Sequence, residues 1–335
     1  MVTDDDHLGP TGNWQPTGDR IRVGVVLEAG GPVGHGFHAG VLTALERVTG
    51  WDARTAEIIV GTSAGAQVGA LLRAGLSPDD LAARVMGQPL TARGTAIAQH
   101  YIRPPHDQPH PHHPLRLVPC APRYVGRVVR HPRFFHLGLF VASLLPEGRV
   151  SLGAQAEGFR QLFSTGWPEQ RLWIPAVCLD TGERVVFGQP EAPVTDVGSA
   201  VTASGAVPWM CAPVRVGLQR YVDGFFRGST HVDLLVKSGL DLVVVSSPLS
   251  RFPLLRRLVR RAVRQVRAAG IPVLLVEPGR ETVSAMGWNP LDETRMSTVL
   301  RSAFKTTVPL LEHTDRAKLR GRFEEAGQGE SNGTR

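Results

Sequence analysis

Ala56-Glu57-Ile58-Ile59-Val60-Gly61-Thr62-Ser63-Ala64-Gly65 is the stretch on which the fold turns. An apolar run of strand length, 56–60, passes straight into Gly-x-Ser-x-Gly, and a helical pattern follows over about 64–74. A serine between a buried strand and a helix, flanked by small residues, is the pattern of a nucleophile elbow. The turn is so tight that the neighbours of the serine must be small, and Gly61, Ala64 and Gly65 meet that demand. The serine oxygen then stands clear of the sheet at a helix N-terminus, where the dipole favours negative charge.

Upstream lies Ile21–Glu28, a second apolar run of strand length, then a Gly-rich stretch at 29–36 and a helical pattern from Phe37 to about Val48. Downstream, strands are predicted at 173–179, 184–188, 220–222, 241–246 and 272–277. Helices are predicted near 195–204, between the last two strands, and over about 292–313. Apolar strands alternating with helices predict an α/β fold, a three-layer α/β/α sandwich with a mostly parallel central sheet covered on both faces. Residues 1–20 and 317–335 read as polar tails around one domain at 21–316. The region 88–150 breaks the rhythm and holds a Pro/His-rich stretch, 103–114, which reads as an insertion or a lid-like region. With 335 residues the chain is long enough to bury a full core.

Serine needs a base to take its proton before it can attack an ester. Tyr221-Val222-Asp223-Gly224 offers one, an aspartate at the end of a short strand held by a following glycine. Attack also builds an oxyanion, which backbone N–H groups stabilise. Gly30, Gly31, Val33 and Gly34 are the donor candidates in the Gly-rich stretch, because glycine lets the chain come close and Pro32 has no N–H. The alternative for this stretch is a dinucleotide or phosphate loop. The spacing Gly31-x-x-Gly34-x-Gly36 does not have the GxGxxG order, and no Walker-type lysine follows.

Together these motifs resemble the patatin-like phospholipases. The Gly-rich stretch sits on the first strand, Gly61–Gly65 follows about thirty residues later, and Asp223-Gly224 is distant. Ala203-Ser204-Gly205-Ala206-Val207-Pro208 resembles the family's Ala-Ser-x-Ala-x-Pro segment, and Phe37–Leu42 resembles the helix start after its glycine loop. The resemblance spans about 21–310, with 88–150 poorly covered. It implies a Ser-Asp dyad without histidine, in which Ser63 is the nucleophile, Asp223 the base and the glycine-loop amides the oxyanion hole. It also implies a lipid or other ester substrate, an acyl-enzyme intermediate and no metal or cofactor. The family's loop reads Gly-Gly-Gly-x-Arg-Gly. Here Pro32 stands at the third glycine, Gly34 at the arginine and His35 at the last glycine.

Two rival readings stand beside this one. Ser63, Asp223 and His231 follow the chain order of an α/β-hydrolase triad. The altered glycine loop also suits a catalytically idle lipid- or membrane-binding module on the same fold. His35 and His38 flank the glycine loop, within reach of a substrate, and read first as helix-start or surface histidines. His106, His110, His112 and His113 lie among prolines that prevent a helix from aligning them on a metal, so they read as a solvated loop.

The net charge is +7. Much of it falls in Arg251–Arg267, which has seven arginines, no acid, and Leu255, Leu258, Val259, Ala262, Val263 and Val266 at helical spacing. This is a basic amphipathic helix that packs on the sheet as a crossover and offers a basic outer face to an anionic membrane. Nucleic acid is disfavoured, because no reading element or aromatic platform accompanies that face. The chain has no run of 18 apolar residues and no basic-then-apolar start. Its three scattered cysteines read as reduced thiols. The expected location is the cytoplasm, with peripheral membrane contact.

Overall fold

The structure is a computed structural model that describes residues 21–100, 120–131, 135–228 and 230–312. Both predicted tails and the Pro/His-rich stretch 103–114, with its four histidines, lie outside the described residues. The sheet holds eight strands: β1 (Val23–Leu27), β2 (Ile58–Gly61), β3 (Arg171–Cys178), β4 (Arg184–Phe187), β5 (Val214–Val216), β6 (Gln219–Asp223), β7 (Leu242–Ser246) and β8 (Val273–Val276). Their order is β5-β6-β3-β2-β1-β7-β8, with β4 also paired to β3. From β3 to β8 every neighbouring pair is parallel, whereas β4, β6 and β5 form an antiparallel wing. The sheet is therefore mixed and mostly parallel, flanked by helices.

Strand alternation explains why both faces are covered. Val25, Leu27, Ile59, Val244 and Leu274 enter one core, while Val26, Ile58, Val60, Val243, Val245 and Val273 enter another. Strands that bury both faces must read as unbroken apolar runs, which is how these strands read in the sequence. On the first face lie α1 (Gly31–Thr49), α2 (Ala64–Arg73), α3 (Pro78–Val85), α8 (Val197–Gly205) and α11 (Met296–Glu312). On the second lies α9 (Pro253–Ala268), anchored through Val259, Val263 and Val266. Leu258, read from its spacing as a packing residue, instead points outward and is 47% exposed.

The described parts of 88–150 are helical. They comprise α4 (Ala92–His100), α5 (Pro122–Arg130) and α6 (Leu137–Leu144). Tyr124, Val128 and Leu139 close a third apolar cluster over Val177, Leu179 and Val222 at the antiparallel wing. Two further helices, α7 (Gly153–Leu162) and α10 (Arg280–Met286), complete the set.

The glycine stretch differs from the expected loop at 29–36. Helix α1 already begins at Gly31, with Gly30 as its N-cap. Proline suits a first helical turn, where its missing N–H has no intrahelical role. Gly36 and Gly40 face α11. A Cβ at Gly36 would lie 2.5 Å from the Met296 carbonyl oxygen, and one at Gly40 would overlap the Leu300 carbonyl. These glycines let the two helices touch backbone to backbone.

At the end of β1 the Glu28 carboxyl is fully buried. Its Oε2 accepts from the Ser247 hydroxyl at 2.5 Å and from the Leu249 N–H at 3.3 Å. Burial raises its pKa from 4.5 to about 8, so the fold favours the neutral acid. An acid raised in this way holds a proton that the unfolded chain has already released between those values. The contribution of Glu28 to stability therefore falls as pH rises from 4.5 to about 8. Glu28→Gln keeps an acceptor and removes the titration. Urea midpoints compared at pH 5.5 and pH 8.5, values spanning that window, are expected to drop less in this variant than in the wild type.

Candidate active site

All five parallel strands end on one rim, and in such sheets ligands bind outside the carboxyl ends. Ser63 lies there, directly after β2. Its φ of 54° and ψ of −116° place a non-glycine residue in the left-handed half of backbone space. Such a conformation costs of order 1–3 kcal/mol and persists only where the surroundings impose it. Here the glycines impose it. A Cβ at Gly65 would overlap the Leu27 carbonyl oxygen, and one at Gly61 would overlap the Gly65 carbonyl. The Thr62 N–H bonds the Leu27 carbonyl at 3.0 Å, which ties the turn to β1. The Ser63 carbonyl accepts from the N–H groups of Ala66 (3.0 Å) and Gln67 (3.2 Å), and α2 starts at once.

Asp223 reaches the same place from β6. In the sheet Val60 sits opposite Trp173, and Asp223 sits opposite Ala176. Three residues of strand span about 10 Å, so the ends of β2 and β6 close on each other over Ile174 and Pro175. A Cβ at Gly224 would overlap the Pro175 carbonyl oxygen and lie 3.2 Å from the Thr62 methyl, so only glycine fits after the aspartate. The Ser63 side chain acts on the Asp223 carboxyl as a hydrogen-bonding neighbour, which favours its ionised form. The Phe225 N–H donates to the same carboxylate at 2.9 Å, and the Asp223 N–H bonds the Ala206 carbonyl at 3.0 Å. Both side chains are nearly closed to solvent, Ser63 at 8% exposure and Asp223 at 3%. Burial raises the Asp223 pKa from 3.8 to about 7, opposed by the hydrogen bonds from Phe225 and Ser63.

Of the four glycine-loop donors, two are occupied. The Val33 N–H bonds the Pro290 carbonyl at 3.3 Å, and the Gly34 N–H closes the first turn of α1 on the Gly30 carbonyl at 2.9 Å. Among the described residues the N–H groups of Gly30 and Gly31 have no acceptor. The same holds for Ala64, the first residue of α2, which the sequence reading assigned only to the tight turn. A donor just after the nucleophile is the expected partner of a loop donor in an oxyanion hole.

Ser204 is a second residue that the sequence reading left without a role. Its buried hydroxyl, on α8, accepts the Ser63 N–H at 3.0 Å and donates to the Pro175 carbonyl at 2.7 Å. It thus fastens the strained turn to β3, the strand that lies between β2 and β6.

The histidines are accounted for structurally. Both ring nitrogens of His231 are engaged, Nδ1 by Arg184 at 3.2 Å and Nε2 by the Gly224 carbonyl at 3.2 Å. Arginine can only donate, so Nδ1 accepts and Nε2 carries the proton. Burial lowers the His231 pKa to about 4, which keeps it neutral. Arg184 is held in turn by both oxygens of Asp233, at 3.0 and 2.7 Å. His231 therefore braces the peptide after Asp223 instead of bonding Ser63. His38 is likewise buried and neutral, held between the Ser246 hydroxyl (2.8 Å) and the Glu28 carbonyl (2.7 Å). His35 is buried on α1.

No family model matches the chain, and no curated protein matches it. Among solved structures, VipD from Legionella pneumophila aligns with a TM-score of 0.43 at 13% identity, covering 93% of this chain and 71% of VipD. That likeness is too loose to assign a family or an activity.

Ser204→Ala leaves the Ser63 N–H and the Pro175 carbonyl without their partner in a buried place. The expected cost is about 1–3 kcal/mol of stability, read from denaturant unfolding, with a fall in any Ser63-dependent activity. Ser204→Thr, which retains the hydroxyl, should recover part of both.

Proposed function

We propose that the protein is a serine acyl hydrolase of the patatin-like type, acting on the ester bond of a lipid-like substrate through Ser63 and Asp223. The observation that carries this reading is that Ser63, at a strained strand-to-helix turn, is brought beside the buried Asp223 carboxyl, whose ionised form its side chain favours. In the reaction the Ser63 oxygen attacks the ester carbonyl carbon and its proton passes to Asp223. The oxyanion accepts from Gly30, Gly31 and Ala64 at the starts of α1 and α2, where both helix dipoles favour negative charge. As the carbon–oxygen bond breaks, the leaving alcohol takes the proton from Asp223 and an acyl-serine remains. Water then attacks the acyl carbon and gives its proton to Asp223. Release of the acid returns the proton to Ser63.

A lipid-like acyl group is supported by apolar surface near the base. Trp209 is half exposed, and its ring meets Phe226 edge-on at 5.8 Å, three residues beyond Asp223. The triad alternative has no comparable support, since His231 is spent on Gly224 and Arg184. An idle lipid-binding module remains the rival class. Labelling by a fluorophosphonate separates the two, because only an activated serine reacts.

Wild-type protein is expected to label at Ser63 and to hydrolyse a short p-nitrophenyl ester. Ser63→Ala and Asp223→Asn should abolish both while remaining folded by circular dichroism. A folded wild type that neither labels nor hydrolyses would decide for the binding module. His231→Ala is expected to keep activity within about tenfold, whereas a general base of a triad contributes about 10²–10⁴-fold. The base must be ionised to accept a proton, and its pKa is raised to about 7. Activity should therefore rise with pH through an acid limb near 7, and a limb that stays near 4 would contradict Asp223 as the base.

A further inference from the structure

Helix α9 starts at the catalytic rim, two residues after Arg251, and runs back along the outer face of the sheet. Its inward residues are Val259, Val263 and Val266. Its outward stripe is Leu254, Arg257, Leu258, Arg261 and Arg264, all exposed and spaced three or four apart. Arg256 and Arg260 share an ion pair with Glu277, and Arg267 bonds the Val273 carbonyl. Among the described residues Arg257, Arg261 and Arg264 have no acidic partner, and α9 itself holds no acid. Three uncompensated cations therefore share one face with two exposed leucines.

The same rim carries an exposed tryptophan. Arg251 holds the carbonyls of Gly287 (2.8 Å) and Trp288 (3.1 Å), which fixes the 287–292 segment beside the start of α9. Trp288 is 93% exposed, and Leu291 of the same segment is 45% exposed. The segment also touches the glycine stretch, since the Pro290 carbonyl accepts the Val33 N–H. Large apolar side chains gathered on one edge beside unpaired arginines are costly in water and well placed at a lipid headgroup boundary.

We propose that Trp288, Leu291, Leu254 and Leu258, with Arg257, Arg261 and Arg264, form a docking surface for an anionic lipid bilayer that sets the catalytic rim against the membrane. Charge complementarity selects this occupant. The arginines match anionic headgroups, while the leucines and the indole have a place in the acyl boundary that a nucleic acid does not provide. Leu254, Arg257 and Leu258 lie nearest the rim. Arg264 is ten residues along the helix from Leu254, about 15 Å at helical rise, so its attraction to the surface is the most sensitive to salt. Docking does not depend on hydrolysis, so the two can fail separately.

The test is vesicle flotation of the full chain, with phosphatidylcholine alone and with an equal mixture of phosphatidylcholine and phosphatidylglycerol. Binding to the mixture, weakened by salt and nearly absent on phosphatidylcholine, is expected for wild type and for Ser63→Ala alike. The triple change R257Q, R261Q and R264Q should weaken partitioning by roughly ten- to a hundredfold, at about fivefold per arginine near the surface and less for Arg264. Trp288→Ser and Leu254→Ser should also weaken it. The arginine, Trp288 and Leu254 variants should hydrolyse a short soluble ester as the wild type does. Equal binding to both vesicles, no binding, or an unaffected triple variant would overturn the proposal. Binding to a DNA duplex without binding to either vesicle would overturn it in favour of nucleic acid. Vesicle binding by a protein that hydrolyses nothing would retain the docking surface and discard the hydrolase.

Discussion

The contact between the Leu27 carbonyl and the α-carbon of Gly65 is the constraint on which the site depends. It brings the first turn of α2 against the end of β1 more closely than any side chain at position 65 would permit. Once that approach is fixed, the chain leaving β2 must reverse within Thr62 and Ser63, and Ser63 takes a positive φ. The strain is of order 1–3 kcal/mol. It is held by backbone hydrogen bonds from Thr62, Gly65, Ala66 and Gln67 and by the Ser204 hydroxyl. A serine on an open loop would face no such demand and would not be held against the sheet rim. The strained position of Ser63 is thus a by-product of close packing between two backbone segments.

The second requirement is that a carboxylate arrive at the same point from the other wing of the sheet, and β3 meets it. This strand pairs parallel with β2 and antiparallel with β6, so the two chain ends run toward each other and stop a few residues apart. Burial there works against ionisation of Asp223, whereas the Phe225 N–H and the Ser63 hydroxyl favour it. The opposing effects leave the carboxyl near neutrality, which is where a general base accepts a proton and also returns it. His231 keeps this balance from the side by fixing the Gly224 carbonyl while staying neutral, so it adds no positive charge that would lower the basicity of Asp223.

Much of this was legible because it is local. The elbow, the aspartate followed by glycine and the apolar strands each declare themselves within ten residues or fewer. The misreadings have equally physical causes. Gly30 through Gly36 looked like a loop because glycine and proline disfavour helix interiors, yet Gly-Pro suits a helix start and Gly36 is needed against α11. Leu258 fell within the broad apolar arc of α9, but the sheet accepts only a narrow stripe of it. α3, α7 and α10 are short, and their apolar signal is too sparse for periodicity to reveal. The role of Ser204 could not be read at all, because its bond to Ser63 spans 141 residues and exists only once α8 has packed beside β3.

The altered glycine loop looks like a defect only while it is read as a loop. As the first turn of α1, Pro32 gives up an N–H that would have had no partner inside the helix. Val33 and Gly34 give theirs to Pro290 and Gly30, which anchors the turn. Among the described residues the N–H groups of Gly30 and Gly31, and that of Ala64 at the start of α2, are left without an acceptor. In the proposed reaction two helix N-termini would face the developing oxyanion. No side chain at position 34 would be required for that charge, because backbone amides would meet it. In the proposed reaction, the absence of an arginine at that position would bear on what is bound around the ester more than on how the ester is broken.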